Sequence, residues 1–401
     1  MKKIKLLFGL VALVIFLVHC SKNTDVIANV ATTATTTNPT GLTTNAGVNA
    51  AFTALPLAVT APADNPQTAQ KIALGKMLFW DPVLSGDNDI ACGTCHHPSL
   101  GYSDALDLSI GVNGQGLGVT RHFLAGNTIP FVKRNSLSII NTAFNGIAAN
   151  GTYNPATAPM FYDNRTQSLE LQSLEPMKTM EEMRGTHIAS TNLLDSVVLR
   201  LTKIPQYVQL FTDAFQVSNP ITTQNLGRAI ASYERTIIAN NSPYDQYIRG
   251  NATAMTAAQV QGMSLFSSDG CIRCHSGPMF SDFALHVLSV PDNTKLPTDA
   301  GAGGTYAFRT PSLRNLSLTA PYMHSGIFTT VDAVIDFYDR VGGNRSQNPN
   351  VANNRLDANL RGINNNNKNA IIQFLNALND GNFDRTIPTA VPSGLHPGGN
   401  L

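Results

Sequence analysis

The stretch ACGTCHHPSLGYSD (residues 91–104) returns in altered form as GCIRCHSGPMFSD (residues 270–282). Each contains Cys-x-x-Cys-His: Cys92, Cys95 and His96 in the first, Cys271, Cys274 and His275 in the second. Two thiols at this spacing, followed at once by an imidazole, are the signature of c-type haem attachment. The thiols add across the two vinyl groups of a porphyrin and form thioethers. The adjoining His is thereby held under the ring as a ligand to iron. Two other chemistries use paired CxxC motifs: a zinc site of four thiolates, and disulfides or redox dithiols in an oxidising compartment. Neither accounts for a His directly after both pairs. The reading is two covalent haem c groups per chain, with His96 and His275 on the irons.

Only one cysteine remains, Cys20, and it ends an apolar run. MKKIK supplies a positive start and LLFGLVALVIFLV an apolar segment short for a membrane span, the pattern of an export signal. The sequence LVHC resembles the lipobox of bacterial lipoproteins, whose Cys is lipidated after cleavage, although His19 stands where that motif prefers a small residue. Residues 1–20 are therefore expected to be a signal peptide of lipoprotein type, with an ordinary cleaved signal as the alternative. The mature protein is expected in the periplasm or envelope, touching the membrane only through a lipid on Cys20. Export suits haem, because c-type cytochromes are assembled outside the cytoplasm. Residues 21–64 are rich in Thr, Ala and Asn without helical or strand period, as in NVATTATTTNPTGLTTNAG, and are expected to be a flexible tether. With 27 basic against 26 acidic residues and no basic stripe, nothing favours nucleic acid as a partner.

Beyond residue 65 the patterns are mostly helical. NPQTAQKIALGKMLFWD spaces Ile72, Leu74, Leu78 and Phe79 along one side. STNLLDSVVLRLTKIPQYVQLFTDAF reads as a helix broken near Pro205, and TTQNLGRAIASYERTIIAN lines up Leu226, Ile230, Tyr233 and Ile237. TAAQVQGMSLFSS begins with Thr256 as a cap. TTVDAVIDFYDRV sets Val331, Val334, Ile335 and Tyr338 at i, i+3, i+4 and i+7, and NNNNKNAIIQFLNALND closes the set. Long loops rich in Gly, Pro and Asn connect them, and no stretch alternates as a strand. The fold class expected is mainly α, as two cytochrome c-like domains with long loops. The first haem domain would span 65–245 and the second 246–385, with 386–401 as a tail.

Several blocks recur in the order of a known family: LGKMLFWDPVLS, the first CxxCH, RNSLSIINTAFN, MFYDNRTQSLELQSLEP, EEM, YERT, the second CxxCH, RTPSLRNLSLTAPYMHSG and AVIDFYDR. The chain resembles the bacterial di-haem cytochrome c peroxidases, including their relative MauG, which oxidises residues of a partner protein. The resemblance implies a peroxide pocket at the first haem formed by Gln172, Pro176 and Glu182, with Glu182 as the acid/base carboxylate and Glu181 beside it. It implies a calcium ion held by the Asn135 side chain and the carbonyls of Thr319 and Pro321. It also implies hydrogen peroxide as substrate, with electrons from a small donor such as a c-type cytochrome or a cupredoxin, or a protein substrate in the MauG manner. A di-haem electron carrier without catalysis is the reading from another class.

Three departures from the family pattern bear on function. Val112 stands where many members carry a His that caps the first iron, and His122 is the one nearby substitute. Tyr338 stands where typical peroxidases place a distal Met at the second iron, as in MauG, with Met323 as the other option. Tyr162 stands where the family has a Trp between the haems, so an electron relay there would be coupled to a proton.

Overall fold

The computed structural model describes residues 51–401. The expected signal peptide, Cys20 and residues 21–50 of the expected tether lie outside the described residues. The described chain belongs to one compact unit in which helices dominate.

Local chemistry sets most helix boundaries. Helix α1 (Ala69–Trp80) starts at Thr68, whose hydroxyl accepts from Lys71 N, and stops at Asp81. Such caps satisfy donors that the first helical turn leaves unpaired. The first haem motif itself forms a short helix, α2 (Cys92–Cys95). Helices α3 (Leu169–Gln172) and α4 (Glu175–Lys178) follow, and then a π-type turn over Met180–Arg184. Helices α5 (Leu193–Thr202) and α6 (Pro205–Phe215) are separated at Pro205, as its ring requires. Next come α7 (Thr223–Glu234) and α8 (Pro243–Ile248). Helix α9 (Ala257–Ser268) has the expected Thr256 cap, with a reciprocal bond that Thr256 N donates to Gln259 Oε1. Helices α10 (Val331–Gly342) and α11 (Lys368–Asn376) complete the set.

Two apolar clusters organise these helices. The first joins α1, α5, α6 and α7 through Leu74, Leu78, Val197, Leu201, Phe211, Leu226 and Ile230. The second joins α9, α10 and α11 through Val260, Phe266, Ile335, Ile371 and Phe374. Each fully buried side chain of this size contributes roughly 1.5–3 kcal/mol. Both clusters are built around a close helix crossing that only glycine permits. A Cβ on Gly75 of α1 would lie 1.9 Å from Ala229 O of α7, and one on Gly262 of α9 would lie 2.0 Å from Ala370 O of α11. In each case the glycine-bearing helix precedes a CxxCH motif, α9 by three residues and α1 through a loop containing the turn Pro82–Leu84.

Strand structure among the described residues is confined to three two-stranded antiparallel ribbons: β1–β2 (Gly114–Gln115, His122–Phe123), β3–β4 (Pro159–Met160, Thr166–Gln167) and β5–β6 (Leu285–Val287, Ala307–Arg309). The last pairs Leu285 with Arg309, His286 with Phe308 and Val287 with Ala307.

Two terminal segments depart from expectation. Residues 51–64, expected within the tether, are packed: Phe52 and Leu55 are buried, Leu55 N donates to Asp245 Oδ1 at 3.0 Å, and Thr60 N donates to the Tyr153 hydroxyl at 2.7 Å. The two apolar side chains find distant partners that local composition does not reveal. The expected tail, 386–401, is a strap across the first motif. Gly398 N donates to Trp80 O at 2.7 Å, Asn400 N to Asp89 O at 2.9 Å, and Thr94 Oγ1, inside the motif, to Gly398 O at 2.8 Å.

Candidate functional site

The two CxxCH motifs are built alike. His96 N and His275 N each donate to the carbonyl of the first cysteine of their motif at 3.0 Å, closing one tight turn. Beyond each turn the chain reverses through an aromatic residue in the left-handed region, Tyr102 at φ 54° and Phe280 at φ 52°. That conformation is strained for a bulky residue. It turns the aromatic's carbonyl back onto the imidazole, with His96 Nδ1 3.1 Å from Tyr102 O and His275 Nδ1 2.9 Å from Phe280 O. A carbonyl only accepts, so Nδ1 carries the proton in both rings and Nε2 keeps its lone pair for a metal. Burial lowers both imidazoles from their ordinary range, which favours that neutral form.

All four cysteines are free thiols. Burial pushes Cys95 and Cys271 up to about 12 and Cys92 higher still. Both motifs line a single cavity. The two CxxC pairs do not converge on one metal point. Among the described residues, the one cluster of His, Cys and carboxylate donors is Cys274, Asp282 and His286, with donor atoms within 4.8 Å. Two thiols plus one Nε2 at each of two stations therefore fit two haems and do not fit one four-thiolate zinc.

Gln172, Pro176, Glu181 and Glu182 line the same cavity. Gln172 comes from α3 and Pro176 from α4, while the π-type turn carries both glutamates. Burial first, and the neighbouring Glu181 second, push the Glu182 carboxyl up to about 7. A carboxyl so poised exists in both protonation states near neutrality, as acid–base work requires.

Tyr162, Tyr338, Met323, Asn135, Thr319 and Pro321 also line the cavity. Tyr162 is buried, its hydroxyl 3.5 Å from Met323 O and its ring edge-on to His324 at 6.3 Å. Burial raises the phenols of Tyr162 and Tyr338, so a phenolate at Tyr338 needs a metal to displace its proton. Asn135 spends its amide NH₂ on Leu106 O at 2.8 Å, which leaves Oδ1 as the oxygen available to a cation. Val112 is buried in the first apolar cluster. His122 is exposed on β2, its Nδ1 3.0 Å from Thr120 O, and is not among the residues lining the cavity.

Three further groups on the cavity wall escaped the sequence reading. His286 stands between Asp282 (2.9 Å) and Asp357 (2.6 Å), and hydrogen bonding, first to Asp282, pushes it up to about 11. Its signal was the i, i+4 Asp–His pair directly after the second motif. Glu234, at the end of α7, has a buried Oε2 without a partner, and burial pushes its carboxyl up to about 8. It sits in the quoted YERT block, but nothing local marks it as buried. Arg309 on β6 is the third; it opens the quoted RTPSLRNLSLTAPYMHSG block, but nothing local marks it as buried.

A helix-rich chain with two haem-binding motifs on one cavity and a poised carboxyl on the same wall is, as a class, a di-haem redox protein. The family profile described as di-haem cytochrome c peroxidase matches residues 69–253. Cytochrome-c peroxidase IdrP1 of a Pseudomonas strain is 35% identical over 346 residues, covering 76% of this chain and 80% of that protein. Methylamine utilization protein MauG of Methylorubrum extorquens is 34% identical over 300 residues, covering 72% and 74%. A solved MauG-like protein associated with microbial copper homeostasis superposes with a TM-score of 0.64 at 26% identity, covering 81% of this chain and 95% of that one. The chain belongs to the di-haem cytochrome c peroxidase family and is an oxidoreductase of the peroxidase type.

Proposed function

We propose that the protein reduces hydrogen peroxide to water with electrons from a small redox protein, entering through the haem at the second motif. The haems would be attached at Cys92/Cys95 and Cys271/Cys274, with His96 and His275 on the irons. Haem iron supplies the electrons and the Lewis acidity that break the O–O bond. The observation that carries the reading is Glu182: a carboxyl pushed up to about 7 on a cavity shared with Gln172, Pro176 and both motifs. Its carboxylate takes a proton from one peroxide oxygen and returns it to the departing one, while the Gln172 amide orients the peroxide and Pro176 keeps that wall dry. The repeated glycine crossing of α1/α7 and α9/α11 supports a division into two cytochrome c-like lobes near residue 245. The free Oδ1 of Asn135, with Thr319 and Pro321 on the same wall, supports a calcium ion between them, an oxygen donor set that suits a hard cation. Export with a lipid on Cys20 completes the proposal. The test is steady-state oxidation of a reduced c-type cytochrome or cupredoxin by peroxide, expected at two donors per peroxide. No donor oxidation above background overturns it.

A second reading is favoured by Tyr338 on the wall next to the second motif and by a buried Val112 in place of a capping His. A phenolate on the second iron stabilises the ferric state and lowers its potential relative to Met. That combination suits MauG-like oxidation of residues in a partner protein. Stopped-flow spectroscopy with stoichiometric peroxide separates the two: a long-lived oxidised species without any donor supports the second reading.

A further inference from the structure

Arg309 is the least compensated buried cation in the described chain. Among the described residues four arginines are buried: Arg121, Arg235, Arg309 and Arg314. Arg121 spends its guanidinium on the carbonyls of Ile110, Gly111, Gly116 and Asn400. Arg235 grips Glu170 with two bonds of 2.6 and 2.9 Å. Arg314 grips Asp245 with two bonds of 2.7 and 3.0 Å. Arg309 uses only Nε, which donates to Phe161 O at 2.7 Å. Its two terminal nitrogens have no partner among the described residues, and the residue lines the cavity. The nearest acid in sequence to its contacts, Asp163, is already paired with Arg134 at 2.8 Å and Arg165 at 2.9 Å. Burial lowers the guanidinium of Arg309 to about 10, still charged at neutral pH.

The charge of Asp163 and the Phe283 ring, 5.7 Å from the guanidinium carbon, offset the burial only in part, and a buried guanidinium without a directly bonded anion is unfavourable. Two planar donors facing a cavity match a carboxylate in bidentate geometry. A c-type haem brings such a group. A haem held by its vinyl edge at the cysteines would carry its two propionate carboxylates on the opposite edge, and the cavity that the motifs share with Arg309 would receive them. We propose that Arg309 clamps a haem propionate and thereby ties that haem's edge to the loop that carries Tyr162.

The second half of the proposal rests on the backbone. Arg309 N donates to Tyr162 O at 2.6 Å, and Nε holds the preceding carbonyl. On its other side the strand is bonded to the segment after the second motif: Ser281 Oγ donates to Thr310 O at 2.6 Å and Thr310 N to Ala284 O at 3.0 Å. The adjacent pair Arg309 and Thr310 thus links the segment after the second motif, the Tyr162 loop and, through the guanidinium, a porphyrin edge. Arg309 is a positioning residue: it acts on the redox pair through the carboxylate and through Tyr162. Its positive charge keeps the propionate ionised and offsets that negative charge, which holds the iron's potential up.

The proposal requires haem in the cavity but neither substrate reading, so its test uses no peroxide and no partner. The experiment is an equilibrium redox titration of the di-haem holoprotein and of Arg309→Gln, from mildly acidic to mildly alkaline pH. One of the two potentials is expected to fall in the variant and to become pH-dependent, because an unclamped propionate takes up a proton when the iron is reduced. Arg309→Lys should restore most of the potential. Haem labelled isotopically at the propionate carboxyls gives a second readout: redox-difference infrared spectra should show an ionised carboxylate at acidic pH in the wild type and a protonated one in Arg309→Gln. Two haems loaded with unchanged potentials, unchanged pH dependence or unchanged labelled bands overturn the proposal. If Arg309→Gln does not fold, Arg309→Lys carries the infrared comparison. A point-charge ammonium in place of a planar fork shifts the labelled band, and an identical band again overturns it.

Discussion

Replacing Glu182 by Gln should slow the protein's reaction with peroxide and at the same time make the fold more stable. Burial and Glu181 move the Glu182 carboxyl from an ordinary 4.5 to about 7. The folded chain therefore holds this proton more tightly than the unfolded chain does. Below the unfolded value both states are protonated and the group has no effect. Through the window from 4.5 to about 7 the unfolded state ionises first, and stability falls. Above that window the full cost is present, roughly 3 kcal/mol at ~1.4 kcal/mol per pKa unit. Gln carries no charge to bury, so the variant should gain up to roughly 3 kcal/mol in alkaline buffer and close to nothing in acid. Function should move the other way. Peroxide gives its proton to the carboxylate form, so the wild-type rate should fall about tenfold per pH unit below the carboxyl's midpoint and level off above it. Glu182→Gln should lose that slope and about 10²–10⁴ of the rate. Single-turnover stopped-flow across pH measures the rates, and denaturant titration at two pH values measures the stability. A variant that keeps both the wild-type rate and its pH slope refutes the reasoning, and transfer of both effects to Glu181→Gln reassigns the role.

Tyr338→Met should raise the potential of the second haem and Tyr338→Phe should open its iron to added ligands. Identical spectra and potentials in wild type, Phe and Met proteins would remove Tyr338 from the iron. The untreated protein should show one high-spin ferric signal in electron paramagnetic resonance, since buried Val112 and exposed His122 offer the first iron no cap; two low-spin signals would contradict this. Chelating calcium, or Asn135→Ala, should slow electron transfer between the haems, and a metal assay that finds no calcium in the purified protein ends that proposal. Gly262→Ala would place a methyl 2.0 Å from Ala370 O and force α9 from α11. A loss of about 1–3 kcal/mol is expected in denaturant unfolding, against little change for Gln261→Ala on the exposed face of the same helix.

The parts of this protein that could be read from sequence are those whose cause is local. A thioether pair and its iron ligand must be close in the chain, because one turn has to present both thiols and the imidazole to one porphyrin; hence Cys-x-x-Cys-His is legible twice. Helix starts were legible at Thr256 and the break at Pro205, because a cap or a pyrrolidine ring acts within one turn. Resemblance carried Glu182, Gln172 and Tyr338 onto positions that the fold then brings to one cavity. The rest depends on distance in the chain. Phe52 and Leu55 read as tether because their partners lie far along the chain, Phe144, Ile147 and Met279 for Leu55 and Tyr244, Phe280 and Phe374 for Phe52. The strap at 386–401 read as tail because its hydrogen bonds go to Trp80 and Asp89.

The same division separates the chemistry. Sequence by itself determined which atoms can bind, four thiols and two imidazoles, and resemblance added one acid, Glu182. Only the tertiary structure decided their states. The carbonyls of Tyr102 and Phe280 select the Nδ1–H tautomer, and burial lifts Glu182 towards neutrality. Arg309 keeps its charge with its terminal nitrogens free because Asp163, the acid whose charge reaches it, is already paired with Arg134 and Arg165. Protonation, tautomer and charge compensation depend on which groups share a dry volume, and that is set by contacts between segments far apart in the chain.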